Sequence, residues 1–253
     1  VKNFYFLCAL PRTGATFLSS IINQSKQIQV TANSIVPDIL LEVLKIKNSN
    51  QFLNFPYHLG IDNVLINVFN NYFQNINCKS ILDKGPWGTP FNLEMLKFIF
   101  EERKFVILVR PVLECLASLV KAKNNNQSLE DYCNFVMDKN KGILGKNIYS
   151  IQNILDKGEK HLIISYDDIL KDTQKQIDNI FDFLNIEKET FKLNNFDQFS
   201  FDNLRYDDEK TSGDYHTIRT DKIIKRNYNI EDYLPKEIIK KYEHIDIWTT
   251  RVW

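Results

Sequence analysis

The sequence predicts an α/β domain, with a central parallel sheet flanked by helices in three layers. Three observations predict it. Residues 4–10 and 105–109 are near-continuous apolar runs, the mark of strands buried on both faces. Stretches with apolar residues at helical spacing separate such runs, as crossover connections between parallel strands require. Loops rich in Gly and Pro follow the strand runs directly, at 11–16 and 84–90, where open α/β sheets place their ligands.

The elements follow in order. A strand over 4–10 leads into a helix that resumes at Phe17, and residues 28–30 form a short second strand. Pro37 starts a helix that runs to Lys47, because proline suits a first helical turn. Residues 48–59 read as a loop. Apolar residues at 61, 64, 65, 68, 69, 72 and 73 form one helical stripe, whose aromatic members belong to a core. Strand 79–83, helix 91–100, strand 105–109 and a helix from Pro111 to about Lys121 come next. Residues 129–155 make one or two helices interrupted near Gly142 and Gly145. Strand 161–165 precedes a helix carrying Ile177, Ile180, Phe181 and Leu184. Residues 190–230 show little periodicity and form a cover over the ligand edge, before a last helix over 235–242. There is no internal repeat and no linker, so residues 1–253 are expected to form one domain.

The chain balances 32 Lys and Arg against 32 Asp and Glu, so no global field draws nucleic acid or an anionic membrane. Any anion site must be a local concentration of positive charge. Cys8, Cys78, Cys115 and Cys133 form no metal-ligand spacing; Cys8 and Cys115 sit in apolar contexts and read as core. A reducing, cytoplasmic setting is expected. No signal peptide is evident, and no apolar run approaches a membrane span. The oligomeric state is not encoded in any recognisable pattern.

The first strand–loop–helix unit carries the chemistry. Helix N-termini present backbone N–H groups and a favourable dipole to anions. Gly14 allows close backbone approach, Thr13 and Thr16 add hydroxyls, and Arg12 adds a permanently charged fork. The bland alternative is an ordinary turn with a helix cap. The loop is not a Walker A motif, since Ala15 stands where that motif needs its Lys, and no later strand ends in a clear magnesium-binding Asp. A second positive site pairs Arg110, at a strand end, with Ser118. The helix from Pro111 returns Ser118 to its starting face nearly two turns later, so both groups can share one anion. The alternative pairs Arg110 with a surface carboxylate and leaves Ser118 facing solvent.

These segments resemble a family. Leu10-Pro-Arg-Thr-Gly-Ala-Thr-Phe-Leu18 is similar to the 5′-phosphosulfate loop of sulfotransferases that use 3′-phosphoadenosine-5′-phosphosulfate (PAPS). Val109-Arg-Pro-Val-Leu-Glu-Cys-Leu-Ala-Ser118 resembles their 3′-phosphate element. Leu162-Ile-Ile-Ser-Tyr-Asp-Asp-Ile-Leu170 is similar to the stretch whose Tyr lies near the adenine, and Leu82-Asp-Lys-Gly-Pro86 to the family's Lys segment. Pro11-Arg12 and residues 83–86 look closest to the tyrosylprotein sulfotransferase branch, as does the segment 220–225.

The resemblance implies a P-loop-like fold and a PAPS-dependent transferase that needs no metal. It assigns the donor to Arg12, Thr13, Gly14, Ala15, Thr16, Phe17, Arg110, Ser118 and Tyr166, with Lys225 and Arg226 either closing over the 3′-phosphate or forming a solvated charged loop. Arg12 and Lys84 are the expected catalytic cations at the leaving phosphate oxygen. The acceptor is a hydroxyl on a peptide tyrosine or a glycan. Two departures bear on the base. The branch's catalytic Glu falls on Asn33, which cannot act as one, and Gly85 and Pro86 follow Lys84 where the cytosolic branch has its His. His58, His216, Asp38 and Asp83 are the candidates, although Asp83 can instead be the ion partner of Lys84. The competing reading is a nucleotide-binding or kinase-like P-loop protein with a degenerate Walker A loop.

Overall fold

The computed structural model describes residues 2–123, 126–194, 197–207, 216–218 and 229–245. Five parallel strands form the sheet: β1 (Asn3–Ala9), β2 (Ile28–Val30), β3 (Ser80–Lys84), β4 (Phe105–Val109) and β5 (His161–Ser165). They lie in the order β2-β3-β1-β4-β5. The chain leaves β1 toward one edge and β4 toward the other. A crevice therefore opens beyond the C-terminal ends of these two neighbours, at the switch point of the sheet.

Strand alternation divides the core in two. Phe6, Cys8, Phe105 and Ile107 face one side, and Leu7, Ala9, Val106 and Leu108 the other. The second face is covered by α1 (Ala15–Ile22) and by Ile177, Ile180, Phe181 and Leu184. The first face carries α2 (Val36–Lys45), α4 (His58–Tyr72), α5 (Pro90–Ile99), α6 (Val112–Lys121), α7 (Leu129–Val136) and α8 (Ile143–Asp156). Its centre is aromatic: Phe6 lies 5.3 Å from Trp87 and 5.6 Å from Phe105 between ring centroids. Helices on both faces make the three layers expected.

Two local readings change, and the one-or-two-helix stretch resolves into two. Residues 48–59 are not all loop, because α3 (Asn50–Asn54) forms where the Ser49 hydroxyl accepts from the Phe52 N–H at 3.2 Å. The stretch 129–155 divides into α7 and α8, with Gly142 at the break and Gly145 inside α8. Tyr166 opens a helix of its own, α9 (Tyr166–Lys171), whose cap is the Ser165 hydroxyl accepting from the Asp168 N–H at 3.1 Å. Two further helices are α10 (Thr173–Leu184) and α11 (Lys236–Tyr242).

Within the segment 190–230, a ribbon pairs β6 (Ser200–Phe201) with β7 (Leu204–Arg205). Asp202 and Asn203 turn it, both at positive φ, the conformation that two-residue hairpin turns demand. The Asn23 amide anchors it by donating to the Ser200 carbonyl at 3.2 Å. Cys8, Cys115 and Cys133 are buried, and all four cysteines are free thiols. No helix among the described residues is long and apolar enough to cross a membrane.

Candidate active site

The loop after β1 is held in a single shape by its own side chains. The Thr13 hydroxyl donates to the Leu10 carbonyl at 2.8 Å, inside the protein. This departs from the expected role of that hydroxyl as an anion donor, because it is already committed to the backbone. Arg12 sits at φ 68° and Gly14 at φ 75°. An arginine in the left-handed region costs roughly 1–2 kcal/mol, so something must hold it there. Arg110 does: its Nη1 donates to the Arg12 carbonyl at 3.0 Å. Gly14 caps α1, and the first N–H to bond back is that of Leu18, to the Gly14 carbonyl at 2.9 Å. The N–H groups of Ala15, Thr16 and Phe17 precede the helical ladder and stand at its positive end.

The two positive sites read from the sequence are one site. Arg12 Nε donates to the Ser118 hydroxyl oxygen at 3.1 Å, joining the first loop to α6. Arg110 is buried, and its guanidinium carbon lies 4.4 Å above the centre of the Tyr166 ring. Its Nε donates to Glu114 Oε2 at 2.9 Å, one helical turn away. Ser118 thus ties Arg12 to the helix that starts beside Arg110, so both guanidinium groups and the hydroxyl stand at one place. The carboxylate partner of the alternative reading exists, but neither Arg110 nor Ser118 faces solvent.

These groups line a cleft of about 510 Å³, a size that suits a nucleotide-sized ligand. Arg12, Lys84, Arg110, Lys141 and Lys146 all contribute to its walls, and no carboxylate does among the described lining residues. Gly14, Ala15, Thr16, Phe17, Ser118 and Tyr166 line it as expected, and Asn33 and His216 join them. Lys141 and Lys146 were missed in the sequence. They flank the break at Gly142 that carries α8 to the cleft, and only that break marks them.

Lys84 reaches the cleft from the end of β3, while Asp83 lines a separate cavity. Successive strand residues point to opposite faces, so Asp83 is not the ion partner of Lys84. The Asp83 carboxylate instead accepts from the Thr31 hydroxyl at 2.8 Å, and Thr31 in turn accepts from the Lys84 N–H at 2.8 Å. Burial pushes the Asp83 carboxyl up to about 7, against the pull of the Ser34 and Thr31 hydroxyls.

Of the other proposed bases, His58 begins α4 and packs edge-on against Phe52 at 4.9 Å, away from the cleft. Asp38 lies exposed in the first turn of α2 and lines neither cavity. His216 does line the cleft, with its ring 4.7 Å from that of Tyr206. Lys225 and Arg226 lie outside the described residues.

The model of the sulfotransferase domain family matches residues 3–245, nearly the whole chain. The chain belongs to the sulfotransferase domain family. It is therefore an enzyme of the PAPS-dependent sulfotransferase kind.

Solved structures share its architecture. The sulfotransferase domain from the curacin biosynthetic pathway matches with a TM-score of 0.52 at 17% identity, over 98% of this chain and 92% of that one. The sulfotransferase from Alicyclobacillus acidocaldarius gives 0.52 at 11% identity, over 76% and 83%. The sulfotransferase domain from the Synechococcus PCC 7002 olefin synthase gives 0.51 at 17% identity, over 74% and 75%. At such identities these likenesses speak to the fold. Among curated proteins, none matches this chain.

Proposed function

We propose that this sulfotransferase binds PAPS across the switch-point crevice and transfers its sulfuryl group to an acceptor hydroxyl by in-line displacement, without metal. One observation carries the reading: a protein of zero formal net charge concentrates five cationic side chains in one cleft at the ends of β1, β3 and β4. PAPS supplies the activated sulfuryl group and, in the departing phosphate, an oxygen on which charge develops.

The chain's residues fit that task. The N–H groups at the start of α1 and the side chain of Arg12 hold the 5′ end. Lys84 stands beside them, and fixed cations aimed at the developing charge need no reorganisation as it grows. Arg110 and Ser118 hold the 3′ end, and Tyr166, on whose ring Arg110 stacks, stands by the adenine. Of segment 190–230, the described residues Tyr206, His216, Thr217 and Ile218 form part of the cleft wall, which supports a covering role for it. The Gln198 side chain fixes Ile218 through bonds of 2.7 and 3.0 Å to its carbonyl and N–H. The resemblance of single segments to the tyrosylprotein branch favours a tyrosine hydroxyl as acceptor, with a glycan hydroxyl as the alternative.

The test is transfer of label from PAPS in the presence and absence of EDTA. We expect turnover that chelation leaves unchanged, and its loss in Arg12→Ala while the circular dichroism spectrum is retained. Full activity in that variant would remove Arg12 from its role. Magnesium-dependent ATP binding, with none of the desulfated product 3′-phosphoadenosine-5′-phosphate (PAP), would favour the kinase-like alternative.

A further inference from the structure

A second cavity of about 150 Å³ adjoins the donor cleft, and Asn33 and Tyr206 line both. Its walls are largely aromatic and apolar, from Tyr72, Phe73, Phe199, Phe201 and Leu204. The carboxylate of Asp83 lies in its lining, fully buried. Asp83 Oδ1 is fixed by Thr31, whose one proton is committed to it. Asp83 Oδ2 makes no hydrogen bond of good geometry among the described residues, although the Ser34 hydroxyl lies near enough to draw on the carboxylate. Leaving a buried carboxylate oxygen unmatched costs about 1–3 kcal/mol or more, so such an atom points to a ligand that would complete it.

The surroundings suit a base. Among the described lining residues Arg205, on the exposed ribbon, is the other charged one, and Lys84 faces the donor cleft. Tyr72 feels Asp83 directly: burial and the nearby carboxylate push its phenol up. Burial also brings Asp83 to about 7, where a general base works best at neutral pH. A cavity near 150 Å³ in another protein accepts benzene, so this one has room for a single aromatic ring.

Building on the PAPS reading above, we propose that this cavity is the acceptor subsite, taking an aromatic ring whose hydroxyl passes its proton to Asp83. The phenolic oxygen forms a bond to sulfur as the bond from sulfur to the 5′-phosphate oxygen breaks. The electron pair leaves on that phosphate, and the phenolic proton moves to Asp83 Oδ2. Asn33, on the shared wall, can donate a hydrogen bond to the transferring group but cannot take the proton, so the base lies one strand over, next to Lys84.

The experiment uses labelled PAPS with 4-methylphenol as acceptor probe, and calorimetric binding of PAP as an independent measure of the donor site. Wild type should sulfurylate 4-methylphenol in preference to 1-hexanol or glucose. Asp83→Asn should lose between about a hundredfold and ten-thousandfold in kcat/KM, with PAP affinity unchanged within about twofold. Leu204→Trp alters an exposed residue of the lining and should raise KM for the phenol several-fold, again without change in PAP binding; it carries the test should Asp83→Asn fail to fold. A folded Asp83→Asn enzyme with near wild-type transfer, an unchanged KM in Leu204→Trp, or a preference for the aliphatic acceptors would each overturn the assignment while the donor site stands. Failure of wild type to bind PAP would overturn the donor reading, and this inference with it.

Discussion

Asp83 is where burial, charge and position meet most sharply. Its folded value near 7 lies above the ordinary carboxylate value of 3.8. The folded protein therefore keeps a proton that the unfolded chain releases between those limits. Stability from this group is fully present below about 4 and falls as pH rises through about 7, by an amount on the order of a few kcal/mol. Urea unfolding at pH 5 and pH 8 should show that loss in wild type, and Asp83→Asn should reduce it. An equal loss in the variant would mean that other groups set the slope. Asp83 also shows what a sequence conceals. From the sequence Asp83 could be a base or the ion partner of Lys84, and strand alternation removes the second option by sending the two into different cavities. Arg12, Gly14, Arg110 and Ser118 were legible because each belongs to a short strand-end motif. The bond from Arg12 to Ser118 was not, since 106 residues separate the two and only the sheet brings them together.

At the scale of elements, the loop after β3 follows Lys84 and lines the cleft with Gly85 and Pro86, and α8 holds that loop in place. The Gly88 N–H donates to the Ser150 hydroxyl oxygen at 2.8 Å, and the Asn153 amide donates to the Gly88 carbonyl at 2.7 Å. A Cβ on Gly88 would come within 2.0 Å of the Ser150 carbonyl oxygen and 2.5 Å of Ile154. Gly88→Ala should therefore cost about 1–3 kcal/mol, read as a lower urea midpoint, and should reduce turnover beyond what stability alone explains. An unchanged midpoint would show that α8 yields easily. Strands and long helices were readable from apolar period, whereas α3 and α9 depend on serine caps within polar stretches too short to show a period. Lys141 and Lys146 escaped notice for a related reason. A lysine beside a helix break reads as solvated until the fold turns that break toward the sheet's C-terminal edge.

Across the whole molecule, the balanced charge of the chain hides a strongly polarised edge. Three strand ends and the start of α8 converge there, and each contributes at least one cation. Bringing such charges together opposes folding, and a polyanion relieves the repulsion. A ligand that binds only the folded state stabilises it by about 2.7 kcal/mol at a hundred times its dissociation constant, so PAP should raise the melting temperature by several degrees. The effect should shrink at high salt, as screening predicts. A shift that salt leaves untouched would argue for apolar contacts as the main source of binding.

The most direct measurement is a calorimetric titration of wild type and Arg110→Ala with PAP and with adenosine 5′-phosphate, both without magnesium. If the crevice between β1 and β4 grips both ends of a doubly phosphorylated adenosine, wild type will prefer PAP by tenfold or more and Arg110→Ala will lose most of that preference. Equal affinity of wild type for the two nucleotides, or a preference that survives in Arg110→Ala, would contradict it.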